Sequence, residues 1–184
     1  RISMIMQDPK YALDPVMRVG AQIAEAIPED QKLSRAERRD RVLAMLESVH
    51  IRNPARVHDL YPHEVSGGMG QRIMIAMMLM AEPDLLIADE PTTALDVTVR
   101  MQVLAILDDL VTRRGLGLIF ISHDLNLVAT FCDRVLIMYA GRIVEECAAA
   151  DLQNARHPYT RGLLASLPRI GSRHQKLAVL NRDP

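Results

Sequence analysis

The sequence predicts an α/β domain with a mostly parallel sheet, and three observations carry that prediction. Residues 85–88 and 118–121 are short, unbroken apolar runs of the kind found in buried parallel strands. Between them Val99, Val103, Ile106, Leu107 and Leu110 recur at helical spacing, with Gly115 as a C-terminal stop. Strand, helix and strand in that order make a β-α-β unit. Near the start, Ile2, Met4, Ile5 and Met6 read as the end of a further strand, stopped by Gln7-Asp8-Pro9.

The remaining elements follow in chain order. A loop is expected after Pro9, and then a helix capped by Asp14 with Pro15 at its first position and Val16, Val19, Ile23 and Ile27 as its apolar stripe. Ser34-Arg35-Ala36-Glu37 is a capping box, and Val42, Leu43, Leu46 and Val49 form one stripe behind it. Two helices are therefore predicted before residue 52, the charged run at 35–41 lying on the solvated face of the second. Residues 68–81 are apolar nearly all round, which predicts a buried helix. Its methionines (Met69, Met74, Met77, Met78, Met80) read as adaptable packing rather than a metal box. Residues 124–133 suggest another helix, and 134–140 with 142–145 a hairpin about Gly141. From Ala148 the pattern weakens into a helix-and-loop tail, and no internal repeat is visible.

Composition narrows the function classes. The chain has 184 residues, 49% of them hydrophobic, and a formal net charge of -1, with acids and bases interspersed. That balance argues against a chain-wide nucleic-acid footprint, which needs clustered cations. The longest apolar run falls far short of the roughly 18 residues expected of a membrane span. Cys132 and Cys147 are too far apart for a Cys-x-x-Cys site and read as plain core or half-buried thiols.

Four places carry candidate chemistry. Asp89-Glu90 ends an apolar strand, and open α/β sheets bind ligands at the carboxyl edge of their strands. Phosphoryl transfer needs Mg²⁺ held by an acid and a water oriented for in-line attack; Asp89 suits the first task and Glu90 the second, as general base. Ser66-Gly67-Gly68 opens the buried helix, where small residues let backbone N–H groups approach a phosphate beside the positive helix end. His123 follows the second strand, where an imidazole can donate a hydrogen bond to phosphate. Gln7 follows the first strand and carries an amide suited to Mg²⁺ and the attacking water.

Taken in order, Val65-Ser66-Gly67-Gly68-Met69-Gly70-Gln71-Arg72, then Leu85-Leu86-Ile87-Ala88-Asp89-Glu90-Pro91-Thr92-Thr93-Ala94-Leu95-Asp96, then Ile119-Phe120-Ile121-Ser122-His123-Asp124 resemble the ATP-binding cassette (ABC) ATPases. The resemblance implies a P-loop NTPase-like fold with an inserted helical subdomain, ATP and Mg²⁺ as cofactors, and a role for each segment. Ser66, Gly67 and Gly68 act as the signature loop that meets the γ-phosphate held by an opposite subunit, with Asp96 in the D-loop. Asp89 and Gln7 face the metal; Glu90, His123 and Gln7 serve catalysis. It also implies domains at 1–150 (a helical subdomain at 8–80 and core at 81–150) and a C-terminal extension at 151–184.

No Gly-x-x-x-x-Gly-Lys-Ser/Thr P-loop occurs in the chain, which begins at Arg1. The expectation is the C-terminal part of a longer cassette, lacking the N-terminal strands and inactive alone. Met69 in place of the general signature Gln, the Pro62-His63-Glu64 run and His157-Pro158-Tyr159-Thr160-Arg161-Gly162 resemble the dipeptide, oligopeptide and nickel importer branch. Gly70 departs from the basic residue expected there. With no cysteine after Cys147, an iron-sulfur cluster is not expected. The implied partners are two transmembrane permease subunits, a second ATPase subunit, identical or paralogous, and indirectly an external substrate-binding protein, at the cytoplasmic face of the inner membrane; nucleic acid is not among them. Two alternatives remain: a non-catalytic remnant of such a subunit, and a soluble ABC ATPase linked to nucleic acid.

Overall fold

The computed structural model describes residues 1–93 and 95–167. Its contacts gather into two units, Arg1–Ile121 and a second beginning at Ser122. The first runs β1 (Ile2–Ile5), α1 (Pro9–Ala12), α2 (Val19–Glu25), α3 (Arg35–Ser48), α4 (Pro54–His58), a 3-10 turn at Pro62–Glu64, α5 (Gly67–Met80), β2 (Leu85–Asp89), α6 (Val97–Arg114) and β3 (Gly117–Ile121). Its three strands form one parallel sheet in the order β1-β2-β3. Register pairs Ile5 with Ala88 and Asp89 with Ile121, so the strands end together at one edge.

The sheet faces differ. Ile5, Leu86 and Ala88 are fully buried, and α5 packs against β1. On the opposite face Ile2, Met4, Ile119 and Ile121 are exposed. Further large buried side chains are Ile23 on α2, Leu46 on α3 and Ile73, Met74, Ile75 and Met80 on α5, a helix that packs against both.

Helix α5 bears out the all-round apolar reading: Met74 and Met80 are buried, and Met69, Met77 and Met78 are half-buried. The capping box at α3 is formed, with Glu37 N–H donating to Ser34 Oγ at 3.3 Å and Ser34 N–H to Glu37 Oε2 at 2.7 Å. Helix α6 ends at Gly115, whose φ of 63° is the left-handed cap that glycine adopts without steric cost.

Two expectations before residue 52 are corrected. The stretch after Pro9 is not a loop: Asp8 caps α1, its Oδ1 accepting from Lys10 N–H at 2.9 Å, with Pro9 at the first position. Nor does Asp14 cap α2, which starts at Val19 behind Arg18. Asp14 Oδ1 instead accepts from Val16 N–H at 2.9 Å in a local turn. The buried Gln22 amide holds that turn, donating to the Asp14 and Met17 carbonyls, both at 2.9 Å, and accepting from Asp14 N–H at 2.8 Å. Those bonds occupy carbonyls that a helix begun at Pro15 would need, and they leave Val16 exposed while Val19, Ile23 and Ile27 are buried.

The second unit runs α7 (Leu125–Phe131), β4 (Arg134–Tyr139), β5 (Arg142–Ala148), a 3-10 segment at Ala149–Asn154 and α8 (Pro158–Ser166). Strands β4 and β5 form the predicted antiparallel hairpin, with β5 extending three residues further than residue 145. Ala140 and Gly141 both have positive φ, 47° and 76°, as a two-residue type I′ turn requires. Among the described residues no helix is long and apolar enough to cross a membrane. Ala94, and the predicted C-terminal extension beyond residue 167, lie outside the described residues.

Candidate functional site

At the carboxyl edge of the first unit's sheet, β2 delivers Asp89 and then turns sharply at Glu90. The turn is left-handed: Glu90 has φ of 47°, a conformation that costs a non-glycine residue roughly 1–3 kcal/mol. Bonds to Ile121 and Thr93 hold it. Glu90 N–H donates to the Ile121 carbonyl at 3.0 Å, its carbonyl accepts from Thr93 N–H at 3.1 Å, and its Oε2 accepts from the Thr93 hydroxyl at 2.7 Å. Pro91 and Thr92 behind the corner are buried. Gln7 lies two residues past the end of β1, exposed, so Gln7, Asp89 and Glu90 share one sheet edge.

A second cluster forms at two helix starts. Ser66 caps α5, its Oγ accepting from Met69 N–H at 3.4 Å, and Asp96 caps α6, its Oδ1 accepting from Val99 N–H at 3.0 Å. Asp96 is thus engaged with its own helix. Gly67 is open, with nothing within 4 Å of an added Cβ, whereas a Cβ on Gly68 would lie 2.6 Å from Val99 Cγ1. Gly68 therefore seats the start of α5 directly on the first turn of α6. Gly70 is buried, and an added Cβ there would meet Pro9 Cγ at 3.5 Å, an ordinary contact.

Beside Ser66 lies a cavity of about 460 Å³ bounded by His50, Arg52, Ser66, Met69, Arg72 and Gln102. Arg72 donates from Nε to the Gly68 carbonyl at 3.2 Å and from a terminal nitrogen to the His50 carbonyl at 2.7 Å. Burial, and after it the charge of Arg52, hold the Arg72 guanidinium below its ordinary value.

His123 belongs to the second unit, exposed, in the segment before α7. Next to it Asp124 N–H donates to Ser122 Oγ at 3.1 Å, and Asp124 Oδ1 caps α7 through Leu127 N–H at 3.1 Å. The His-Pro-Tyr-Thr run forms the start of α8. His157 Nδ1 accepts from Tyr159 N–H at 3.2 Å, and Pro158 takes the first helical position. Glu145 on β5 receives the Arg156 and His157 amides at 2.6 and 3.3 Å, and the Tyr159 ring lies 4.4 Å from that of Tyr139. The Thr160 hydroxyl, then the Arg156 amide, hold the Glu145 carboxyl below the usual carboxylate range. This motif fastens the tail to the hairpin.

Asp89 and Gln7 offer oxygen donors suited to a hard cation. Among the described residues no three His, Cys, Asp or Glu side chains converge as a metal cage. That set fits Mg²⁺, which is usually held by one or two carboxylates together with waters and substrate phosphates. Sequence reasoning missed Thr93, Arg72 and Val99. Thr93 stands three residues after Glu90 and Arg72 four after Gly68, but only the fold shows which way each side chain bonds.

A family profile described as ABC transporter matches residues 1–93. The probable peptide ABC transporter ATP-binding protein y4tR of Sinorhizobium fredii is 54% identical over 169 residues, covering 91% of this chain and 50% of its own length. The dipeptide transport ATP-binding protein DppD of Bacillus subtilis is 46% identical over 184 residues, covering 100% of this chain and 55% of its own. The chain thus spans about half the length of the curated relatives it matches. Among solved structures, the dimeric post-hydrolysis ATP-binding cassette MJ0796 bound to ADP and Pi superposes with a TM-score of 0.71 at 26% identity, covering 81% of this chain and 63% of that one.

Proposed function

This chain belongs to the ABC transporter family, and we propose that it is the part of an ATP-hydrolysing subunit that carries the catalytic acid and the signature turn and drives peptide uptake. The observation that carries the reading is Glu90, turned left-handed at the sheet edge and held there by Ile121 and Thr93.

In this reading Glu90 takes the proton of the attacking water. Asp89 and Gln7 would hold Mg²⁺, which would supply charge neutralisation on the phosphate oxygens. Ser66, Gly67 and Gly68 present the start of α5 to the γ-phosphate of a nucleotide bound by a second ATPase subunit, identical or paralogous. His123 hydrogen-bonds the same phosphate, and Asp96 orders the start of α6 at that interface. The subunit sits at the cytoplasmic face of the membrane against two permease subunits, with an external binding protein delivering the peptide. Names of relatives that transport peptides and dipeptides support the branch.

With no P-loop among its residues, this chain is expected to show no Mg-ATP hydrolysis alone. Hydrogen bonds from charged groups to phosphate are worth about 1.5–3 kcal/mol each, and Asp89 and Glu90 do not replace them. The test joins the whole chain behind the N-terminal half of the Bacillus subtilis DppD relative and measures ATP turnover and binding. Glu90→Gln is expected to lower kcat by about 10² to 10⁴ with ATP binding retained, as loss of an oriented base does. Turnover above a tenth of the parent would remove Glu90 from this role.

A further inference from the structure

We infer that Thr93 is a positioning residue for Glu90, fixing the plane of the carboxylate that accepts the water proton. The inference rests on the role proposed above for Glu90, but its observations are separate. The Thr93 hydroxyl donates to Glu90 Oε2 at 2.7 Å, an ordinary length for an O–H to carboxylate bond. Thr93 N–H also returns to the Glu90 carbonyl at 3.1 Å, so backbone and side chain of one residue grip backbone and side chain of the other. Thr93 is itself half-buried and follows the buried Pro91 and Thr92, which limits how far its hydroxyl moves.

The physical consequence is orientational. A glutamate carboxylate rotates freely about its last torsion, and that torsion has broad, shallow preferences. A general base works only when its oxygen lies within hydrogen-bond reach of the proton it removes. The Thr93 hydroxyl holds Oε2 and so contributes to the direction in which Oε1 points. Losing that bond leaves the base in place but loosens its orientation, lowering kcat and leaving nucleotide affinity unchanged. The threonine methyl group has no part in this.

Three variants of the fused protein described above test it. Thr93→Val keeps the shape and removes the donor; kcat is expected to fall about tenfold with KM for ATP unchanged. Thr93→Ser keeps the donor and removes the methyl group, and is expected to restore kcat to within about threefold of the parent. In the Glu90→Gln background Thr93→Val is expected to change kcat no further. If Glu90→Gln abolishes turnover while Thr93→Val retains full kcat, or if Val is active and Ser is not, the hydroxyl has no positioning role and the catalytic reading stands. If Glu90→Gln itself retains turnover, both fall. A readout independent of catalysis uses the 184-residue chain directly: the Thr93 hydroxyl proton should exchange slowly with water in NMR spectra and lose that protection in Glu90→Ala. A fast-exchanging hydroxyl in the parent chain would overturn the inference whatever the fused protein does.

Discussion

The corner after β2 and the turn before α5 lie in the same unit and are built in opposite ways. At the corner, Glu90 is turned left-handed and bonded through N–H, carbonyl and carboxylate to Ile121 and Thr93, with Pro91 and Thr92 buried behind it. At the turn, Ser66 is exposed behind a long 3.4 Å cap bond, and a Cβ added to Gly67 would meet nothing within 4 Å. The first arrangement suits a base that must not move during a reaction. The second suits backbone donors that wait for a group from outside the chain. Rigidity and openness are thus assigned residue by residue, and exchanges between glycine and alanine report on which is which.

The largest effect is expected at Gly68, where the open turn meets α6. Gly68→Ala places a methyl group 2.6 Å from Val99 Cγ1. Overpacking of this kind costs typically about 1–3 kcal/mol, read as a lowered urea midpoint of the fused protein. Val99→Ala in the same molecule should recover most of the loss. A Gly68→Ala protein as stable as its parent would mean that the two helix starts are not in register as described.

At Glu90 the usual order of helix and loop residues should invert. Glu90→Ala keeps the left-handed strain and loses the bond to Thr93, whereas Glu90→Gly adopts that backbone freely. Glu90→Gly is therefore expected to be the more stable of the two by about 1 kcal/mol, both being inactive. Equal stabilities would show that the corner relaxes to negative φ when the carboxylate is removed.

The smallest effect is expected at Gly70, with the opposite sign to Gly68. Its added Cβ meets Pro9 at an ordinary 3.5 Å and lies inside α5. Gly70→Ala should stabilise by about 0.5–1 kcal/mol through reduced backbone entropy in the unfolded chain and better helix propensity. A destabilised Gly70→Ala would show that Pro9 and α5 are packed more tightly than the contact suggests.

What was legible in the sequence was whatever local order decides. The strands expected at 85–88 and 118–121, the capping box at Ser34, the left-handed stop at Gly115 and the turn at Gly141 each depend on neighbours a few residues away, and each is found within a residue of its expected place. The start of α2 was misplaced because Gln22, eight residues downstream of Asp14, decides it through side-chain bonds that periodicity does not encode. Helix α4, starting at Pro54 behind a left-handed Asn53, carries too little apolar periodicity to announce itself. The order of motifs picked out Gln7, Asp89 and Glu90, which stand at one sheet edge because parallel strands in register end together. The grip of Thr93 and the contact of Gly68 with Val99 were not legible, since one depends on a backbone dihedral and the other on two helices meeting.

Ile2, Met4, Ile119 and Ile121 are exposed together on one face of a parallel sheet, and sheets of this type are ordinarily covered on both faces. Their side chains are of the kind a packing layer takes out of water, at about 25 cal/mol per Å² of apolar surface, so this face is where a covering layer would gain most.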